Sequence, residues 1–325
     1  MQANIQNNWK RGPVFLRALS HPNYRLWFFG QGISLIGSWM QTMAQQVLVY
    51  DLTGSAAALG MVNLLGLIPI IPLSLWGGSI ADRFSKRNVL IFTQMIMMAE
   101  ALILAVLTWT GTIQVWHVYV LSFVLGGVNA IDVPVRQAFT VEMIDGKEDL
   151  TNAIGLNAAM FNLGRALGPA LAGVLVAATG AATAFFVNGI TFVAVIFCLF
   201  AMKNLPESYI QKDAINNTVE HMKEGIVYAR SHSIVMVLIS LVAVSAFLSM
   251  PYNTLMPIFA TKVLGESAKP VVDVFCNPDT GLLRCQSPEA LPLGILLTLM
   301  GFGALIGALF VAAMSERARR GQNSK

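Results

Sequence analysis

The sequence predicts an all-α polytopic membrane protein, and three observations carry that prediction. Hydrophobic residues make up 55% of the 325 positions and charged residues only 12%, against about 25% charged in a typical soluble domain. The apolar residues gather into runs of about 20, enough at about 1.5 Å per residue to cross a hydrocarbon core of about 30 Å. Basic residues collect in every second connection between these runs, the bias that marks the cytoplasmic loops of a membrane protein. The formal charge of +4 therefore reads as orientation and not as affinity for nucleic acid.

The lead 1–23 is polar and holds Lys10, Arg11 and Arg17, with a short amphipathic stretch at 15–19 expected on the inner membrane surface. No small-residue cleavage site follows the first apolar run, so a retained, cytoplasmic N-terminus is expected. The first span, 26–49, is interrupted by Gln31, Ser34, Gln41, Thr42, Gln45 and Gln46. Gln31, Ser34, Gln41 and Gln45 fall near one helical face, which must point into the bundle, either to hydrogen-bond other helices or to line a polar cavity. Span 56–80 contains Pro69 and Pro72, and a kink is expected there. The turn 78–87 reads Gly-Ser-Ile-Ala-Asp-Arg-Phe-Ser-Lys-Arg and leads into span 88–110. That span carries Glu100, an intramembrane carboxylate suited to proton or substrate handling, or else to hydrogen bonding between helices. Trp109 and Trp116 border the next outer turn, as expected of aromatic residues at the headgroup level.

Span 116–139 ends with Asp132 and Arg136 on one face, four residues apart and able to pair, with Pro134 between them. Their pairing reads either as a structural link or as part of a gating network. Span 150–178 holds Gly164-Arg165-Ala166-Leu167-Gly168-Pro169-Ala170-Leu171-Ala172-Gly173. Small residues at 164, 168 and 172 form a strip that another helix can approach closely. Arg165 is expected either to pair with an acid such as Glu100 or to sit in an aqueous cavity. Span 181–202 follows, then a hydrophilic stretch through 233, and then span 234–259 with Pro251, Asn253, Thr254 and Pro257. An outer loop is expected over 261–291, where Cys276 and Cys285 flank turn-forming residues and can form a disulfide on the oxidising side. Span 292–314 is rich in glycine and runs into Arg317, Arg319 and Arg320. Cys198 lies in an apolar span as a small hydrophobe, and His21, His117, His221 and His232 are scattered, so no metal site is expected. No P-loop pattern is present, which argues against an ATP-driven pump.

The pattern Gly78-x-x-x-Asp82-Arg83-x-x-Lys86-Arg87 between two spans resembles the helix 2–3 signature of the major facilitator superfamily of secondary transporters. Gly164, Gly168, Pro169 and Gly173 resemble the helix 5 motif of its exporter branch, with Ala172 in place of a glycine. The Pro-x-Arg-Gln stretch at 134–137, the Asn-Ala-Ile-Gly-Leu stretch at 152–156 and Arg165 within the helix 5 motif narrow the resemblance to enterobactin-exporter-like and macrolide-efflux-like bacterial proteins.

The resemblance implies a six-helix bundle over 1–205, a cytoplasmic linker over 206–232 and the first two helices of a second bundle over 233–325. It also implies an inner-membrane location and no cofactor. Gly78, Asp82, Arg83, Lys86 and Arg87 would form a latch, with Glu142 as the carboxylate that faces it. The implied activity is proton-driven export of a small amphipathic molecule (a drug, macrolide or siderophore-like compound), with Glu100, Asp132, Arg136 and Arg165 as candidates for coupling or for the cavity. Two other readings stay open: import of a nutrient, and a truncated membrane protein that does not transport. Since the superfamily has twelve helices and this chain reads as eight, it is expected to be C-terminally truncated or a fragment.

Overall fold

The structure, a computed structural model, describes residues 14–144, 146–205, 227–277, 281 and 284–322. Its regular elements are all helical. A 3₁₀ turn, Val14–Ser20, leads into α1 (Pro22–Thr53). Then come α2 (Ala56–Leu67), α3 (Ile70–Arg83), α4 (Lys86–Trp109), α5 (Val115–Glu142), α6 (Lys147–Thr179) and α7 (Ala181–Ala201). The remainder is α8 (Ser233–Ile258), a π turn (Phe259–Val263), α9 (Gly265–Cys276) and α10 (Ala290–Gln322).

Among the described residues six stretches are long and apolar enough to cross a membrane: Ala56–Ser74, α4, α5, α6, α7 and Ser233–Val263. With 32 residues α1 has the length as well, but its glutamines lower its hydropathy. Its polar groups instead bond inside the bundle, as shown below. Phe92, Phe197 and Ile71 are among many large apolar side chains left exposed, as suits a surface that meets lipid tails.

The helices run alternately between two ends. The lower end holds the 3₁₀ turn, Ser85 and Gly146; the upper end holds Gly54, Gly111 and Gly180. Gly54 closes α1 at φ 59°, its N–H on the Tyr50 carbonyl at 2.7 Å, a backbone conformation that favours glycine. The side chain of Ser55 then caps α2.

The second span is kinked as expected: Pro69 and Pro72 each remove a backbone donor and interrupt the ladder between Leu67 and Ile70, so that it divides into α2 and α3. One expectation needs correction: 261–291 is not loop throughout. It contains a 12-residue helix, α9, whose Cys276 is bonded to Cys285 with Cα atoms 5.3 Å apart. The 3₁₀ turn docks on the start of α6: Ala18 donates its N–H to Asn152 Oδ1, and Arg17 pairs with Asp149 at 2.7 Å. Most of the expected linker, 206–232, falls outside the described residues.

In the packing, α1 is central and lies against α6 and α7. α4 packs between α7 and α5, α5 also covers α2 and α3, and α10 runs along α6. Among the described residues there are two apolar cores. The lower one includes Tyr24, Trp27, Leu90, Phe139 and Leu199, and the upper one Met43, Leu104, Val176, Phe185 and Leu293. At Gly126 the backbones of α5 and α2 meet, since a Cβ there would come within 2.0 Å of the Gly66 carbonyl oxygen. Backbone cannot retreat as a side-chain tip can, so Gly126→Leu is expected to abolish recovery of folded protein from detergent extracts. A monodisperse variant at wild-type yield, seen by size-exclusion chromatography, would disprove this contact.

Candidate functional site

A cavity of about 700 Å³ opens between α1, α2, α6, α8 and α10. A second of about 260 Å³ adjoins it between α1, α2, α3 and α5, and the two share Thr42, Gln46, Asn63, Leu67 and Thr254. Asn63 Nδ2 donates to Thr254 Oγ1 at 2.8 Å and links α2 to α8 across the cavity. The larger cavity is mainly apolar, with Trp39, Met43, Leu64, Phe247 and Leu297 in its wall. Arg165 lines it too, and its Nε is buried with no hydrogen-bond partner.

Between the two apolar cores lies a buried polar layer. Gln41 of α1 donates to Glu100 Oε2 of α4 at 2.7 Å, and Asn188 of α7 donates to Gln41 Oε1 at 2.7 Å. Thr191 closes on Asn188, and Gln45 donates to Ser122 at 2.8 Å. Glu100 is 3% exposed, and its Oε1 has no partner. Pairing of Arg165 with Glu100, one of the two expectations for that arginine, is not what forms: Gln41 holds the carboxylate and Arg165 lines the cavity. The polar face of α1 thus serves both of its expected uses, since Gln41 and Gln45 bond across helices and Gln45 also lines the smaller cavity; Thr42 and Gln46, beside that face, line both cavities. Asn188 and Asn63 were given no role from the sequence. The signal that could have found them is an amide inside an apolar run, which must find a partner.

At the lower end Lys86 Nζ lies 2.6 Å from Glu142 Oε1, with both side chains largely buried. Arg87 donates to the Phe200 carbonyl at 3.0 Å and sits over the Phe200 ring. Arg83 is the last residue of α3, and its Nε is buried without a partner. Gly78 and Asp82 lie in α3, but their side-chain surroundings fall outside the described residues. Asp132 is fully buried; it accepts from Thr93 at 2.7 Å and Gln94 at 3.0 Å and pairs with Arg136. α5 runs unbroken through Pro134. For the Lys86–Glu142 pair, neutralising either partner (Lys86→Met or Glu142→Gln) is expected to lower the melting temperature. The double variant should then cost less than the sum of the singles, by roughly 1 kcal/mol. Strict additivity would show that the pair does not couple.

The small-residue motif of α6 has two faces. Gly164 and Gly168 receive α1, where a Cβ on Gly168 would meet Trp39 Cβ at 2.4 Å. Gly173 and Ala166 receive α10: a Cβ on Gly173 would stand 3.0 Å from Gly294 Cα, and one on Gly301 would stand 2.5 Å from Ala166 Cα. The Pro169 carbonyl also faces Gly294.

Residues 15–271 match the family described as transmembrane secretion effector. The chain is 31% identical over 246 residues to the staphyloferrin A transporter of Staphylococcus aureus, covering 73% of this chain and 59% of that protein. It is 25% identical over 256 residues to macrolide efflux protein A of Streptococcus pyogenes, covering 78% and 60%. Against the multidrug efflux pump Tap of Mycolicibacterium fortuitum it is 23% identical over 321 residues, covering 95% and 69%. The chain therefore spans about 60% of the length of the first two relatives. Among solved structures, the peptide transporter POT with alafosfalin bound superposes with a TM-score of 0.55 at 16% identity, over 98% of this chain and 73% of that one. At that identity the likeness is one of fold alone.

Proposed function

Since this chain belongs to the transmembrane secretion effector family of the major facilitator superfamily, a family of transporters and not of enzymes, we propose that it serves as a proton-driven exporter of small amphipathic molecules. The observation that carries this reading is the cavity of about 700 Å³, which is large enough for a drug-sized ligand, mainly apolar and bordered by a few polar groups. It lies between the first six spans and α8 with α10, where a rocking-bundle transporter holds its substrate. The names of the relatives, a staphyloferrin A transporter, a macrolide efflux protein and a multidrug efflux pump, agree with a small-molecule cargo.

Of the two acids buried among the described residues, Glu100 is the better proton carrier. Asp132 is held by three donors, and a proton on it would break the pair with Arg136. Glu100 keeps one oxygen unpartnered, and its partner Gln41 lies one helical turn from the cavity residue Gln45. At the lower end Gly78, Asp82, Arg83, Lys86 and Arg87 act with Glu142 as a latch, of which the Lys86–Glu142 pair is the closed form. In this reading the protein sits in a bacterial cytoplasmic membrane with its lower end and N-terminus in the cytoplasm. The domains follow as a six-helix bundle over 1–205, a linker over 206–232 and part of a second bundle from 233.

Inside-out vesicles from cells that express the native protein test this reading. With an acid interior they are expected to accumulate a fluorescent amphipathic substrate, and a protonophore is expected to abolish the accumulation. Movement that ignores the pH gradient would overturn proton coupling, and movement only in the opposite sense would favour import.

A further inference from the structure

Arg165 is the sole charged side chain among the described residues that line the 700 Å³ cavity. It makes no ion pair or hydrogen bond among the described residues, and Glu100 and Asp132 are engaged elsewhere. A guanidinium does not give up its proton in a protein, so the charge on this cavity wall is permanent. Its Nε is buried against a mainly apolar wall, where a fixed positive charge favours an opposite charge beside it, the more so inside a membrane protein. Gln46 Oε1, on the same cavity, is likewise buried and unpartnered. Apart from these polar groups the wall is largely apolar, with Trp39, Phe247 and Leu297 among its members.

The ligand that complements Arg165 and the apolar wall has an apolar body and one oxyanion, while Gln46 Oε1, an acceptor, calls for a hydrogen-bond donor elsewhere on the ligand. From this we infer that the cavity binds amphipathic acids, with a carboxylate or phosphate seated on the Arg165 guanidinium, and that it disfavours amphipathic cations. The inference rests on the transport reading for what happens to the ligand afterwards, while binding is measurable on its own. Arg165 offers a planar fork that matches an oxyanion through two parallel hydrogen bonds. The same charge repels the protonated amine of a cationic drug.

The test is binding of three probes to the purified native protein in nanodiscs of zwitterionic lipid. The probes are 11-(dansylamino)undecanoic acid, its methyl ester and a dansyl alkyl-trimethylammonium of equal chain length. The acid is expected to bind about tenfold tighter than the ester or better, the factor that a hydrogen-bonded charge contributes. The cation is expected to bind no tighter than the ester. Arg165→Gln is expected to bring the acid down to the ester's affinity, and Arg165→Lys to keep part of the preference. An unchanged melting temperature and a monodisperse size-exclusion profile of the variants control for folding. Equal binding of acid and ester by the wild-type protein would overturn the inference without any variant, as would an Arg165→Gln protein that keeps the preference.

Repeating the titration in discs of anionic phospholipid separates the sources of the oxyanion. Loss of acid affinity there assigns the seat to a lipid headgroup, and unchanged affinity assigns it to a soluble acid. If the acid preference holds while no gradient-driven movement occurs, the binding site stands and the exporter reading falls. The converse result keeps the exporter and removes the oxyanion seat.

Discussion

Replacement of Glu100 by glutamine is expected to reduce gradient-driven accumulation to background while leaving substrate binding and energy-independent exchange in place. Glutamine has nearly the same shape, and its carbonyl oxygen still accepts the hydrogen bond that Gln41 Nε2 gives at 2.7 Å in the wild-type protein. The layer of Gln41, Asn188 and residue 100 therefore stays packed between the two apolar cores. What disappears is the group that can take up and release a proton at this depth. Glu100→Asp keeps that group but draws it back by one methylene from Gln41, so partial activity is expected. The measurement is counterflow beside pH-driven uptake in the same vesicles. If Glu100→Gln retains uptake driven by the gradient, coupling resides elsewhere. If both activities vanish together with the folded protein, the residue is a packing element only.

Asp132→Ala is expected to destabilise the folded protein strongly. Asp132 is 0% exposed and accepts from Thr93, Gln94 and Arg136 together. Its removal strands an arginine and leaves two further donors unpaired between α4 and α5. Breaking a buried ion pair from one side costs about 3–5 kcal/mol. The double variant Asp132→Ala/Arg136→Met removes the stranded charge and is expected to recover much of that loss. Thermal unfolding in detergent reads both. A single variant that melts within a degree of the wild type would show that water or lipid headgroups replace the lost partner, and the pair would then hold nothing together.

The helices were legible in the sequence because an apolar run of about 20 residues has few alternatives to spanning a membrane. Their partners were less so. Glu100 stood out as a lone carboxylate in an apolar run, yet its partner Gln41 is 59 positions away, and Asn188 is 147 positions from Gln41. No local rule pairs residues at such separations; the helix packing decides. The spacing of Gly164 and Gly168 revealed a packing face, but the second face, through Gly173 to Gly294, depends on where α10 falls. The break at Pro69 could be anticipated as a kink, whereas α9 was hidden among turn formers because its 12 residues are too short and too polar to announce a helix.

The seam between α6 and α10 has a mechanical consequence. At Gly173–Gly294 and Ala166–Gly301 the two helices touch through backbone and, at most, a methyl group. Side chains that interlock, as teeth do, must change rotamer before one helix can turn over another, and that exchange is a barrier. A contact of bare backbone has no such teeth. It holds the helix axes close while offering little friction to rotation about the point of crossing, so α6 and α10 meet as the two faces of a plain bearing.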